Sequence, residues 1–188
     1  MTKSQSLDDL FADLLARQEN DSAKLPPVHL WDPPKSGDMD LVVDREGRWI
    51  HEGGEIRRER LVKLFSTILK REGGHYFLVT PVEKWQIKVD FAPFYIISAS
   101  RENRDSQQAI SLTTSTGETI VISAENPLWV DDSKGPDNPT PLITVRHNLP
   151  GLLSRTVFYQ LVEWGQPSQD GGLYIESMGR QFLLGMMD

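Results

Sequence analysis

The chain has no cysteine, which excludes disulfides, thiolate nucleophiles and thiolate metal ligands. It also has no unbroken apolar run long enough to span a bilayer, and its polar start, with Lys3 followed by serines and acids, lacks the apolar centre of a signal peptide. A cytoplasmic location without a membrane partner is therefore expected. Positive charge is in short supply: 20 Lys and Arg against 27 Asp and Glu leave a formal net charge of -7. That argues against a nucleic-acid partner, because phosphate-backbone affinity comes from clustered Lys and Arg displacing counterions. GxSxG, P-loop, GxGxxG and HxxxH patterns are all missing, so the serine-hydrolase, nucleotide-hydrolase, dinucleotide and helical zinc readings lose their usual support. No cofactor and no catalytic residue is indicated.

What is present is an ordinary globular composition, 188 residues with 38% apolar and 25% charged, enough for one domain or two small ones sharing an interface. The organising stretch runs from Arg57 to Val89. Leu61, Leu64, Phe65, Ile68 and Leu69 fall at i, i+3, i+4, i+7 and i+8, with Arg60, Lys63, Thr67, Lys70 and Arg71 opposite them. This predicts an amphipathic helix stopped by Gly73 and Gly74. Tyr76 to Val79, Pro81, and the alternation of Trp85, Ile87 and Val89 with polar neighbours then predict a hairpin.

A degraded copy closes the chain. Laying Ile56 to Lys70 on Leu149 to Glu163 without a gap puts Phe65 on Phe158 and Ile68 on Leu161, and both stretches reach a Gly pair, Gly73-Gly74 or Gly171-Gly172. The expected fold is therefore α+β: a tandem repeat of a strand-hairpin/helix/hairpin unit, forming two small packed sub-domains behind an amphipathic N-terminal helix. The expected divisions are 1–37 for that helix and a Pro-rich linker, 38–100 for the first repeat and 101–188 for the second. Any two helix-hairpin units in a small domain would look somewhat alike at this level.

Other signals fill in the order. Ser6 and Asp9 mark a helix start, and Leu7, Leu10, Phe11, Leu14 and Leu15 form a stripe that would dock on its own domain or on a protein partner. Asp44 to Gly47 reads as a hairpin turn between Leu41-Val42-Val43 and Trp49-Ile50. Arg101 to Gln108 reads as a polar loop tip, Asp131 to Pro141 as a long surface loop, and Gly151 to Trp164 as a second helix that is apolar nearly all round.

Candidate chemistry is sparse. Glu83 and Lys84 follow Pro81 at a turn, where they could hold a polar ligand or be a solvated pair. Arg58 and Arg155, each just inside a predicted helix, and Arg146 at a strand end could hold an anion or pair with Glu55, Glu83 or Glu163. These five residues, Arg58, Glu83, Lys84, Arg146 and Arg155, form the candidate ligand-binding set. His51 or His147 near Asp38 and Asp40 would be needed for a metal site, and none shows ligand spacing.

The stretches Leu61 to Leu69, Leu78 to Lys84, Asp90 to Phe94, Val145 to Leu149, Arg155 to Glu163 and Ser177 to Gly185 together resemble a bacterial family named domain of unknown function 1285. The resemblance runs from about Leu25 to Gly185 and leaves the acidic first helix outside. It implies tandem α+β repeats and a suspected part in signal transduction or ligand binding, and it carries over no catalytic residue. The expected function is a non-enzymatic small-ligand-binding or signal-transduction module with its site between the repeats, a small anion being one candidate ligand. An adaptor using the N-terminal helix is the alternative, and an enzyme of unrecognised class is third.

Overall fold

The computed structural model describes residues 6–20, 25–135 and 138–187. It divides into two compact units, one holding the chain up to Val43 with Arg48–Val89, the other Asp44–Gly47 with the chain from Asp90 onward.

The first unit opens with helix α1, Leu7–Asn20. Ser6 caps it: its Oγ accepts from the Asp9 amide at 3.2 Å and donates to the Asp9 carboxylate at 2.7 Å, satisfying a first-turn N–H that the helix leaves unpaired. A single 3-10 turn, Val28–Leu30, precedes the strands. Strands β1 (Lys35–Val43), β2 (Trp49–His51), β3 (Gly54–Glu55), β4 (Leu69–Glu72), β5 (His75–Val79) and β6 (Glu83–Val89) form one sheet in the order β3-β2-β1-β6-β5-β4, with helix α2, Glu59–Thr67, between β3 and β4. Strands β1 and β6 run parallel and the other neighbours antiparallel. Leu41, Val43, Leu69, Leu78 and Ile87 are buried with Leu61, Leu64 and Phe65 of α2. Phe11 of α1 meets Phe65 edge-on, and Trp49 lies against the same ring.

The second unit contains β7 (Phe94–Arg104), β8 (Gln107–Thr114), β9 (Thr119–Val121), β10 (Leu128–Asp131), β11 (Thr140–Arg146) and β12 (Leu149–Leu153), in the order β10-β11-β12-β7-β8-β9. Helix α3, Arg155–Trp164, follows. Then β13 (Gln166–Pro167), β14 (Gly172–Ser177) and β15 (Arg180–Met186) make a separate three-stranded sheet. Ser177, fully buried, ties this sheet to the larger one: its Oγ donates to the Ile122 carbonyl at 2.7 Å and accepts from the Ile110 amide at 3.0 Å.

The α+β tandem-repeat expectation is corrected by this architecture. The chain is mostly β, 48% strand and 19% helix, with two six-stranded sheets and, among the described residues, three α-helices. In the first unit the strands after the helix complete the six-stranded sheet, whereas those after α3 stand apart from theirs.

Both predicted helices were also too long. The α2 helix ends at Thr67 because Ser66 and Thr67 donate their hydroxyls back to the Lys63 and Leu64 carbonyls at 2.7 and 2.6 Å, and Leu69 onward pairs with β5. Gly73 and Gly74, both at positive φ, make the β4–β5 turn. Gly151 to Leu153, expected as the start of the second helix, belong to strand β12, and α3 starts only after Ser154. The stretch from Arg101 to Gln108 is mostly strand. Asp105 and Ser106, both at positive φ, turn β7 tightly into β8.

Candidate functional site

Within the second unit a cleft of about 480 Å³ opens beside the start of α3, within the size range usual for small-molecule sites. Its floor follows from strand register. Tyr95 of β7 pairs with Leu152 of β12, and Leu152 with Leu142 of β11. Alternation along β11 places Thr140 on the same face as Leu142. Leu142, Leu152 and Ala92 form a small apolar cluster on which Tyr95 and Phe91 pack.

One wall is the turn Asp44–Gly47. There the Glu46 amide donates to Asp44 Oδ1 at 2.9 Å and the Gly47 amide to the Asp44 carbonyl at 3.0 Å. Asx-type bonding of this kind closes the turn and presents Arg45 and Glu46 to the cleft. The Arg45 guanidinium lies over the Phe91 ring, 4.5 Å from its centroid, a contact that orders the side chain, and it makes no ion pair among the described residues.

The other wall is the first turn of α3. Ser154 Oγ accepts from the Val157 amide at 3.3 Å as the helix cap. Arg155 is exposed on the cleft side, and Phe158 and Tyr159 also line it. Among the described residues Arg155 makes no ion pair, and Thr140, a residue only 4% exposed, also lines the cleft. The rim is completed by Asn138 and Pro139, beyond a loop whose start is held by Asp131. The Ser133 amide donates to the Asp131 carboxylate at 2.9 Å, which holds that carboxyl below its ordinary pKa.

The five sequence-derived candidates are split between the units. Arg58, in the first, pairs with Asp8. Glu83 takes a 2.7 Å ion pair from Lys35 and a 3.2 Å hydrogen bond from the Trp85 indole. Lys84 pairs with Glu72 at 2.6 Å and lies over Phe77. Arg146, in the second unit, pairs with Glu118 and lies 5.0 Å from the centroid of Phe94. Each of these four has an ion-pair partner within the protein, whereas Arg155 lines the cleft. Arg45, Tyr95, Thr140 and Tyr159 went unnoticed because strand register and a turn bring them together, and no local pattern marks that. His51 Nδ1 lies 2.8 Å from the Asp40 carbonyl oxygen, and the described residues include no group of three or more His, Asp or Glu suited to a metal.

Comparison with known proteins places the chain. Residues 26–92 match the N-terminal domain of a family described as "Domain of unknown function (DUF1285)", and residues 93–184 match the C-terminal domain, described as "Protein of unknown function (DUF1285)". The chain belongs to this family. A DUF1285 family protein from Silicibacter pomeroyi DSS-3, solved by crystallography at 2.50 Å, is similar at 38% identity with a TM-score of 0.80, over 87% of this chain and 89% of that one. A second DUF1285 family protein, from Shewanella baltica OS155 at 1.40 Å, is 25% identical with a TM-score of 0.53, over 66% of this chain and 91% of that one. No curated protein matches. No described helix is long and apolar enough to cross a membrane. The acidic helix α1 precedes the first matched residue of this DUF1285 chain.

Proposed function

We propose that this DUF1285 chain binds a small organic anion in the cleft of its second unit. The observation that carries the reading is a set of polar groups facing that cleft without ion-pair partners among the described residues. They are the Arg155 guanidinium, which makes no ion pair there, and the Arg45 guanidinium, which lies over the Phe91 ring. Guanidinium groups suit carboxylate or phosphate through paired N–H donors. Arg58 and Arg146, by contrast, already have carboxylate partners. A small-ligand-binding or signal-transduction module was the leading expectation from the sequence, with an anion as one candidate ligand; the reading takes that candidate and assigns it to a cleft inside one unit. A part in signal transduction would follow if ligand occupancy is what the protein reports.

The test is calorimetric titration of the full chain with inorganic phosphate and with acetate at low salt. Saturable binding of either anion that Arg155→Ala reduces about tenfold or more, roughly the effect of one lost charge-assisted contact, supports the reading. Absence of binding up to millimolar concentration, or binding that Arg155→Ala leaves unchanged, overturns it.

A further inference from the structure

We infer that the anion bound in this cleft is carried on an aromatic ring, as in an aryl carboxylate or an aryl phosphate. The inference rests on the anion reading above and narrows it. Its first support is Tyr159. Val157 and Leu161 of α3 are buried in the unit, but Tyr159 is 61% exposed, lines the cleft and makes no hydrogen bond among the described residues. An exposed tyrosine that the core does not use offers a large flat surface with little entropy to lose on contact. Its neighbour Phe158, itself only 8% exposed, has its ring centroid 6.5 Å away at an interplanar angle of 34°.

The second support is the rest of the lining. Tyr95 lies on the floor, Pro139 stands on the rim just before β11, and Pro141, buried, is the second residue of that strand. Flat, stiff, apolar groups therefore occur on the floor, on the helix wall and on the rim, while the cationic groups are Arg45 and Arg155. A purely hydrophilic anion would leave the ring surfaces wet. A planar apolar body attached to the anion covers them, and ring-to-ring contacts add to plain area burial. Glu46, also lining the cleft, opposes a second negative group on the ring and favours a hydrogen-bond donor there.

The experiment compares matched pairs on the full chain by titration calorimetry: acetate against benzoate, inorganic phosphate against phenyl phosphate, and cyclohexanecarboxylate as the non-aromatic control. The expected result is that the aryl member of at least one pair binds about tenfold tighter, equivalent to about 1.4 kcal/mol, and that cyclohexanecarboxylate binds more weakly than benzoate. The pair that shows the gain tells carboxylate from phosphate. Tyr159→Ala should abolish the aryl advantage while leaving acetate or phosphate affinity and the melting temperature unchanged, since the side chain is exposed. If acetate and phosphate bind as tightly as their aryl partners, or cyclohexanecarboxylate equals benzoate, the aromatic inference is overturned and the anion site stands. If no member binds, both readings fall.

Discussion

Gly47 lies so close to Tyr95 that a Cβ added at Gly47 would meet the Tyr95 Cβ at 2.5 Å, and the glycine holds a φ of 76° that side chains rarely adopt. The turn that carries Arg45 is thus seated directly on the cleft floor. Gly47→Ala should cost about 2–4 kcal/mol, combining the left-handed backbone penalty with overpacking. Urea unfolding measures it; a loss under about 0.5 kcal/mol would show that this contact does not set the turn.

Phe11 is 1% exposed, and its ring meets Phe65 at 4.9 Å and 71°. Leu7 and Phe11 of the α1 stripe are therefore buried in its own unit while Leu10, Leu14 and Leu15 are half-buried, and the Asp8–Arg58 pair fastens the same helix. Phe11→Ala should destabilise the first unit by about 3–5 kcal/mol, the usual cost of deleting a buried ring. A loss below about 1 kcal/mol would mean that the helix leaves α2 readily in solution and is available to another protein.

Arg146 and Glu118 pair with side-chain exposures of 11% and 23%, and Arg146 is also stacked over Phe94. Partial burial strengthens the pair, and breaking it strands a charge near the core. Glu118→Gln should cost about 1–3 kcal/mol, and a double-mutant cycle with Arg146→Met should return a coupling above about 1 kcal/mol. Additive effects would place both side chains in solvent and return Arg146 to the list of candidate anion ligands.

How much of this was readable depends on whether neighbours in sequence or in space decide an element. The Asp44–Gly47 turn was legible because Asp and Gly act locally: Asp44 accepts from the next residues and Gly47 takes the positive φ. The stripe from Leu61 to Leu69 was legible as apolar but not as one helix. Leu69 is buried either as the next helical position or as a strand residue opposite Leu78, and only the partner strand settles that. Gly151 to Leu153, expected as helix, are strand for the same reason, since a short apolar run carries no period of its own and β12 is defined by pairing with β7 and β11. The mostly-β class was missed because the repeat argument weighed helices that span few residues. Of the candidate site, Arg155 was found from its place near a helix start. Thr140 and Tyr95 were not, because what joins them is a sheet register across β11, β12 and β7.

Glu72 gathers two cations of the first unit. Lys70 and Lys84 approach its two carboxylate oxygens at 2.8 and 2.6 Å, and these bonds, Lys70 first, hold its pKa below the ordinary carboxylate value. A depressed pKa means that folding favours the ionised form. The stabilisation is therefore fully present above the unfolded carboxylate pKa, about 4.3, and is lost as pH falls through the lower folded value. The stability difference between the native chain and Glu72→Gln should accordingly be largest near neutral pH and shrink toward zero as both become uncharged at that position in acid. Urea unfolding of the two chains from pH 7 down to about pH 3 reads this directly. A difference that stays constant over the range would mean that the carboxylate acts by packing alone, and one that grows in acid would contradict the ion-pair account.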